Sequence, residues 1–280
     1  MAMKKRKKRA FIATALAAVI LLLLIVVAPM TAKTIDNSFS VSSHTKKAPI
    51  MVAHRGLSSL APQNSLPAFE LSAEYGFDGC EFDVHTTKDG RWVVIHDDSV
   101  DVMTNGEGNV ADFTLEEIRE LTLDSGNGIE NYEALKVPTL EEALEVCEKG
   151  GVFPVIEIKG CDTQYLPELK RIIASSGIGD KTVIISFDKE YLEKYRALDK
   201  KTEMLLLSAT VTKEDIDWCE TYNAGINFFF ANLYKNASAV KLAREKGMKI
   251  GAWTVDNTVY EDVMVLFGVE IITTNKLLPQ

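Results

Sequence analysis

Eighteen residues, from Glu81 to Asp98, concentrate much of the acid–base chemistry of this chain. The stretch reads EFDVHTTKDGRWVVIHDD and holds two of the four histidines together with five carboxylates. Clustered carboxylates are costly unless something neutralises them, and hard cations such as Ca²⁺ and Mg²⁺ bind carboxylate oxygens. The stretch therefore favours a metal site. The alternative is a solvated polar face on an edge hairpin.

The two apolar runs in this stretch predict an antiparallel hairpin, because a parallel crossover needs a dozen or more residues. Asp89-Gly90 indicates a two-residue type I′ turn, which pairs Asp83 with His96. The same turn pairs Lys88 with Arg91, His85 with Val94, and Glu81 with Asp98. Since side chains alternate along a strand, one face is predicted to hold Glu81, Asp83, His85, His96 and Asp98. The other face is predicted to hold Phe82, Val84 and Ile95.

Two other predicted strands end in residues that complement such a site. FPVIEIKG places Glu157 and Lys159 two positions apart, facing the same way, and MVAHRG places His54 and Arg55 at the end of the first strand. Strand C-termini form the active face of barrels. Arginine offers a planar fork for phosphate oxygens, and histidines act as acid and base near neutral pH. A buried Glu157–Lys159 salt bridge is the alternative for that pair.

Together these residues suit a metal-assisted attack on a phosphodiester, because the barrier to that reaction is largely the development of anionic charge. The predicted metal ligands are Glu81, Asp83 and Glu157. The other predicted participants are His54, His96, Arg55 and Lys159.

The elements that carry these residues alternate from Pro49 onward between β-rich runs and amphipathic segments. Nine runs read as strands: IMVAHR, CEFDVH, RWVVIH, FPVIEIK, TVIISF, EMLLLS, INFFFA, KIGAWTV and EIITT. This alternation predicts an α/β fold, a (β/α)₈ TIM barrel over residues 49–280, with one run extra. In TLEEALEVCEK, Thr139 and Glu142 predict a capping box. Residues 99–137 break the alternation around FTLEEIREL and predict a small insertion over one barrel face.

The N-terminal segment predicts one transmembrane helix. MAMKKRKKR carries six basic residues and precedes twenty residues without a charge, enough to span a hydrocarbon core of about 30 Å. We expect a cytoplasmic tail over 1–9, an anchor over 10–31, a linker over 32–48 and an extracytoplasmic barrel on the cell membrane. A cleaved signal peptide and a secreted protein are the alternative, but the cleavage site is poor.

Charge and cysteine content limit the partners and the covalent structure. Beyond the basic tail, the chain contains 25 Lys and Arg and 40 Asp and Glu, which gives a formal charge of −15. Such a surface repels nucleic acid. The four cysteines, Cys80, Cys147, Cys161 and Cys219, have no CxxC spacing, so we expect buried free thiols in preference to disulfides.

The ordered motifs across residues 50–275 resemble the glycerophosphodiester phosphodiesterase family, within the phosphatidylinositol phospholipase C-like barrel superfamily. They are AHRG (53–56), APQNSLPAF (61–69), EFDV (81–84), TKDG (87–90), VVIHD (93–97), VPTLEEAL (137–144), IEIK (156–159), SF (186–187) and AWTV (252–255). The resemblance implies a TIM barrel with an insertion after the HD motif. It also implies hydrolysis of a glycerophosphodiester to sn-glycerol 3-phosphate and an alcohol, with one Ca²⁺ or Mg²⁺ ion.

Carried over residue by residue, the resemblance implies roles for eight positions. It implies His54 and His96 as the acid/base pair, Arg55 and Lys159 as phosphate contacts, and Trp253 as a wall for the glycerol. It implies Glu81, Asp83 and Glu157 as metal ligands. Three positions depart from the family pattern and change the field around a phosphate: Gln63 replaces a Glu, Val102 an Arg and Asn275 an Asp.

Two alternatives remain from the sequence. The anchor and the apolar run INFFFA fit a lysophospholipase D-type enzyme that acts on a lipid phosphodiester. The three departures fit a non-catalytic surface binding protein on the same scaffold. The sequence also leaves open the alcohol headgroup, and whether water or a neighbouring substrate hydroxyl attacks first.

Overall fold

The computed structural model of the protein describes residues 48–279. The predicted tail (1–9), the predicted anchor (10–31) and all but the last residue of the predicted linker lie outside this range. Between residues 48 and 279, no helix has the length and apolar character needed to cross a bilayer. The anchor and the membrane location therefore stay predictions.

Nine strands are found in the described range. They are β1 (Ile50–Ala53), β2 (Gly79–Thr86), β3 (Trp92–Val94), β4 (Phe153–Gly160), β5 (Val183–Ser186), β6 (Glu203–Ser208), β7 (Gly225–Phe229), β8 (Ile250–Trp253) and β9 (Ile271–Thr274). All except β3 pair in parallel in the ring order β1-β2-β4-β5-β6-β7-β8-β9, and β1 closes the ring by pairing with both β2 and β9. The predicted TIM barrel is confirmed, and β3 is the extra strand.

The α-helices of the described range lie mainly between these strands. They are α1 (Leu66–Glu74), α2 (Leu115–Glu120), α3 (Leu140–Gly150), α4 (Leu166–Ser175), α5 (Lys189–Leu198), α6 (Lys213–Tyr222), α7 (Leu233–Glu245) and α8 (Thr258–Leu266). The predicted capping box of α3 is confirmed, because Thr139 accepts from the backbone of Glu142, whose carboxylate accepts from the Thr139 N–H. Gly151 ends this helix in the left-handed conformation, which glycine adopts without a steric penalty.

Alternation along the barrel strands separates two apolar layers. Ile156 and Ile158 of β4 point outward and pack in the cluster beneath the helices, whereas Val155 points inward and packs with apolar residues of other strands. Glu157 therefore faces the barrel interior. Its neighbour across the β2–β4 ladder is Asp83. Alternation thus brings acids from two strands together above an apolar floor.

The β2–β3 hairpin is antiparallel, as predicted, but its register differs by one residue. His85 pairs with Val93, where the prediction placed Val94. The two-residue turn was wrong, because the Gly90 N–H donates to the Thr87 carbonyl at 2.9 Å and the Thr87 N–H donates to the Arg91 carbonyl at 2.8 Å. Gly90 has a φ of +74° and ends a three-residue loop, the next most common hairpin connection.

This shift changes the residues on each face, since one step of register turns every side chain over. The Ile95 N–H donates to the carbonyl of Asp83 at 3.1 Å, so Asp83 lies opposite Ile95 and not His96. The predicted placement of Ile95 beside Phe82 and Val84 is also wrong. Ile95 packs instead in a separate cluster with Val93, Val100, Met103, Val110, Ile118, Leu123 and Val137.

Residues 99–137 use that separate cluster as their own small core. They contain α2 and two short 3₁₀ turns. Arg119 joins this segment to α3 through a bidentate pair with Glu142, with N···O distances of 2.7 and 2.9 Å. All four cysteines are free thiols, and only Cys161 is partly exposed.

Candidate active site

Three carboxylates meet at the C-terminal ends of β2 and β4. One oxygen from each of Glu81, Asp83 and Glu157 lies within 4.8 Å of the others, and all three residues are buried. Glu81 and Asp83 each have one oxygen held by the chain: Glu81 accepts from the Arg55 N–H at 2.8 Å, and Asp83 accepts from the Asn64 amide at 2.8 Å. The second oxygen of each is buried and has no hydrogen-bond partner in residues 48–279.

The chain itself only partly compensates this negative charge. Arg55 Nε lies 3.5 Å from Asp83 and Lys159 Nζ lies 3.3 Å from Glu157. Burial, followed by the charge of Asp83, raises the pKa of Glu157 to about 8. Burial and the charges of Asp83 and Glu157 also raise the pKa of Glu81 well above its usual range. Buried, unpartnered carboxylate oxygens are the donor set that suits a hard divalent cation.

The backbone that orients this cluster is unusual at two positions. Arg55 and Asn64 have φ values of +57° and +55°. Asparagine tolerates this region, but for arginine it is uncommon and costs free energy. In this conformation the Arg55 N–H donates to Glu81, a predicted metal ligand. The strained residue is therefore one that helps to orient the carboxylate cluster.

His54 is oriented by an amide and a carboxylate that lie behind it. Its Nδ1 is 2.8 Å from Oδ1 of Asn275, and Nδ2 of Asn275 donates to Asp256 at 2.7 Å. Since the amide NH₂ faces Asp256, its oxygen accepts, and Nδ1 of His54 must carry the proton. The lone pair is then on Nε2. Burial and the positive charge of Arg55 lower the pKa of His54 to about 4.

Asp256 is a part of the site that sequence reasoning missed. It also accepts from the hydroxyl of Thr274 at 3.0 Å and from the backbone N–H of Asn275 at 2.8 Å. The signal available was an acid just after a predicted strand, in KIGAWTVD. Asn275, predicted only as a departure from the family pattern, contacts His54 directly.

His96 lies in the same pocket, although the pairing that predicted its position was wrong. Strand β3 ends at Val94, so His96 lies two residues beyond it. Its Nδ1 is 2.7 Å from Asp97 and its Nε2 is 3.2 Å from Lys159 Nζ. Asp97 and Lys159 thus occupy both ring nitrogens of His96. The contact with Asp97 was not anticipated.

His85 and Asp98 do not line the pocket that holds His54 and His96. His85 is buried, and its Nε2 lies 3.2 Å from the carbonyl oxygen of His96. The Asp98 side chain is 90% exposed and 3.8 Å from His85. His85 therefore supports the backbone that carries His96, while Asp98 faces solvent.

These side chains surround a cavity of about 130 Å³. Its polar side holds His54, Arg55, Glu81, His96, Glu157 and Lys159, and its apolar side includes Phe187, Leu207 and Trp253. The Trp253 ring contacts Phe187 and Phe229, with centroids 5.5 and 5.3 Å apart. Arg55 Nη1 donates to Gln63 at 2.6 Å. Val102 is 57% exposed and does not line this cavity. The eight predicted site residues are thus gathered in one place, since Asp83 belongs to the cluster beneath it.

Comparison with known proteins gives consistent matches. A model of the glycerophosphoryl diester phosphodiesterase family matches residues 54–278. The glycerophosphodiester phosphodiesterase of Caldanaerobacter subterraneus is 34% identical over 230 residues, which are 81% of this chain and 93% of the relative. That of Bacillus subtilis is 30% identical over 248 residues, covering 81% and 83%.

Solved structures give the same fold. A glycerophosphodiester phosphodiesterase from Parabacteroides distasonis has a TM-score of 0.71 and 26% identity, covering 82% of this chain and 94% of its own. A phosphodiesterase from Oleispira antarctica, solved with the product sn-glycerol-3-phosphate, has a TM-score of 0.76 and 24% identity, covering 81% and 93%.

Proposed function

Because the chain belongs to the glycerophosphoryl diester phosphodiesterase family and is an enzyme of that type, we propose that it hydrolyses a glycerophosphodiester to sn-glycerol 3-phosphate and an alcohol, with one divalent cation bound. The observation that carries the proposal is the meeting of three carboxylates and two histidines in one pocket. The glycerol phosphate bound to the Oleispira antarctica enzyme supports the choice of product.

The cation, Ca²⁺ or Mg²⁺, would be held by Glu81, Asp83 and Glu157. Their fit rests on the two buried oxygens that no group in residues 48–279 satisfies. When bound, the ion would neutralise charge that develops on the phosphoryl oxygens. The remaining chemistry falls to side chains of this chain.

His54 fits the general base. It is neutral above a pH of about 4, its proton is on Nδ1, and its free Nε2 lone pair can accept a proton from the attacking hydroxyl. His96 fits the general acid, because it lies in the same pocket as His54 and the Asp97 carboxylate at Nδ1 fixes the orientation of its ring. In this assignment Lys159 turns from Nε2 of His96 to the phosphate, and His96 gives its Nε2 proton to the departing alcohol oxygen as the bond from phosphorus to that oxygen breaks.

Two cations and an aromatic ring position the substrate in this proposal. Arg55 and Lys159, already on the pocket wall, bind the non-bridging phosphate oxygens. Trp253 covers the carbon face of the glycerol. The attacking group is either water or the neighbouring glycerol hydroxyl. In the second case water then opens a cyclic phosphate, and a cyclic product trapped at early times by phosphorus NMR identifies that route.

The proposal is tested with the full chain on glycerophosphocholine and glycerophosphoglycerol, with EDTA and with added Ca²⁺ or Mg²⁺. We expect turnover only with cation, and losses of about 10²–10⁴-fold in kcat for His54→Asn and His96→Asn. Glu81→Gln should remove cation dependence together with activity. Glu107→Gln, at an exposed loop acid, is the matched control. Near-full activity in either histidine variant rejects the acid/base assignment.

A second candidate substrate is a lysophospholipid, and one observation favours it. Ring contacts continue outward from Trp253 through Phe229 and Phe230 to Tyr260, which is 51% exposed. Such a strip offers apolar area to an acyl chain. Release of choline from lysophosphatidylcholine but not from glycerophosphocholine would replace the leading proposal with this one. The assembled pocket gives less support to the non-catalytic alternative.

We also propose an extracytoplasmic location on the membrane, supported by the basic start and apolar run of residues 1–31. Fractionation, followed by protease treatment of intact cells, tests this location. Recovery of the whole chain in the soluble cell fraction contradicts it.

A further inference from the structure

A second cavity, of about 460 Å³, adjoins the catalytic pocket. Its wall is made of hydroxyl, amide and ammonium groups from Ser58, Ser59, Gln63, Asn127, Asn275 and Lys276. This lining includes no carboxylate and no aromatic ring. We refer to it as the polar cavity.

Two residues form the partition between the polar cavity and the catalytic pocket. Gln63 accepts a hydrogen bond from Arg55 at 2.6 Å, and Asn275 is bonded to His54 at 2.8 Å. A group bound in the polar cavity therefore lies next to the predicted phosphate contact and the predicted base. Asn127 closes the cavity from the insertion, since its amide donates to the Ser58 carbonyl at 2.7 Å.

The order of strands places this cavity away from Phe187, although Trp253 ends β8, which is next to β9. Asn275 follows β9, whereas Phe187 follows β5, and these strands are four positions apart in the closed ring of eight. The two ester groups of a phosphodiester leave phosphorus in different directions. If the glycerol lies against Trp253 and Phe187, the polar cavity is available to the other ester group, the alcohol.

The charge and polarity of the lining determine which chemical groups the polar cavity can bind. The Lys276 side chain is exposed, and within residues 48–279 its ammonium has no hydrogen-bond or ion-pair partner, although its backbone N–H donates to the Thr274 hydroxyl at 3.2 Å. Its ammonium can donate to a hydroxyl but repels a cation. Quaternary ammonium groups are recognised by aromatic rings, which this lining does not provide. Amides and hydroxyls both donate and accept, as a polyhydroxy ligand requires.

We infer that the polar cavity binds the alcohol of the substrate, and that the enzyme prefers an uncharged polyhydroxy alcohol, such as glycerol or inositol, over choline or ethanolamine. The inference rests on the proposed function, because it names the substrate class of that same site. It assigns Lys276 and Asn127 as specificity residues.

The test measures kcat/KM of the full chain for glycerophosphoglycerol, glycerophosphoinositol and glycerophosphocholine at one saturating cation concentration. We expect the polyol substrates to be favoured by about tenfold or more, the ratio that a difference of about 1.4 kcal/mol produces. Lys276→Glu should lower this preference by about tenfold, because the new carboxylate attracts choline. Asn127→Ala should raise KM for the polyol substrates while leaving KM for glycerophosphocholine nearly unchanged.

Lys200→Glu makes the same charge change on an exposed residue that does not line the cavity, and its preference should match that of the unmodified chain. Equal or greater activity on glycerophosphocholine overturns this inference and leaves the proposed function intact. A preference that Lys276→Glu does not alter overturns the role of the polar cavity. Absence of turnover on all three substrates, with cation present, is instead the failure of the proposed function.

Discussion

Replacing Glu157 with Gln should stabilise the cation-free protein at alkaline pH. Burial and the charge of Asp83 raise the pKa of Glu157 from 4.5 to about 8. The folded protein then binds more protons than the unfolded chain between these two values, so its stability falls as pH rises from about 4.5 to 8. A shift of this size corresponds to about 5 kcal/mol. Because the pKa of Glu81 is raised in the same cluster, the shift does not belong to Glu157 alone, and we expect Glu157→Gln to recover about 2–3 kcal/mol.

The same variant decides between the two interpretations of Glu157. Lys159 lies 3.3 Å from its carboxylate, so a structural salt bridge is the competing account. Removing one partner of a buried salt bridge costs about 3–5 kcal/mol, the opposite sign. If Glu157 is a metal ligand, the variant should be more stable than the unmodified protein in EDTA, because the cluster has excess negative charge. The variant should also lose the stabilisation that added cation provides.

The measurement is urea denaturation of the full chain at about pH 6 and about pH 8.5, with EDTA or with millimolar Ca²⁺ or Mg²⁺. In EDTA at the higher pH, the variant should have a larger free energy of unfolding than the unmodified protein. The difference should shrink at about pH 6, where Glu157 is already protonated in the folded protein. Glu107→Gln corrects for the change in net charge. A variant that is less stable in EDTA at pH 8.5, or that gains as much from cation as the unmodified chain, refutes the ligand assignment.

Three further results are expected. The double variant Asp256→Asn with Asn275→Asp keeps the net charge but brings a carboxylate to Nδ1 of His54. An opposite charge at about 4 Å is worth up to about 4 kcal/mol at an effective dielectric of about 20, so we expect the pKa of His54 to rise by about 1–2 units from its lowered value. The acid limb of kcat/KM, at saturating cation, then moves to higher pH, and an unmoved limb contradicts His54 as base. Trp253→Ala should raise KM about tenfold with little change in kcat, because the ring is expected to bind substrate and transition state equally. A fall in kcat alone would argue against Trp253 as a wall for the glycerol. Ile118→Ala should lower the free energy of unfolding by about 2–4 kcal/mol in denaturant titration, because its side chain is fully buried; an unchanged midpoint shows that the insertion unfolds separately.

The barrel could be predicted because its signals are local. Each strand corresponds to a short β-rich run in the sequence, and the helices between the strands begin at capping residues such as Thr139. The convergence of Glu81, Asp83 and Glu157 follows from the same reasoning, since C-terminal strand ends meet at one face of a barrel. His54 and Arg55 were located in the same way.

The hairpin register could not be predicted, because Asp-Gly suits both two-residue and three-residue loops. The choice made here gave the wrong partners for Asp83 and His96. His96 nevertheless lies in the pocket, because the chain continues two residues beyond β3 and His85 contacts its carbonyl oxygen. The expected location was confirmed although the pairing behind it was wrong.

The contacts that orient His54 could not be predicted from the sequence, for a different reason. Asn275 and Asp256 are 19 positions apart and follow different strands, so no spacing rule connects them. Only the closed ring, with β9 next to both β8 and β1, brings them together behind His54. Contacts of this kind depend on the whole barrel and not on any local pattern.

Two departures from the family pattern acquire a common meaning in the structure. Gln63 and Asn275 are the neutral amides between the catalytic pocket and the polar cavity, where the resemblance leads one to expect two acids. At position 275 a negative charge remains nearby, because Asp256 accepts from the amide at 2.7 Å. At position 63 the partner of Arg55 Nη1 is a neutral amide, so the one carboxylate within 4 Å of the guanidinium in residues 48–279 is that of Asp83, at Nε. Both changes also remove a carboxylate from the wall of the polar cavity, where it would have attracted choline. The departures are therefore better explained by the choice of alcohol than by loss of catalysis.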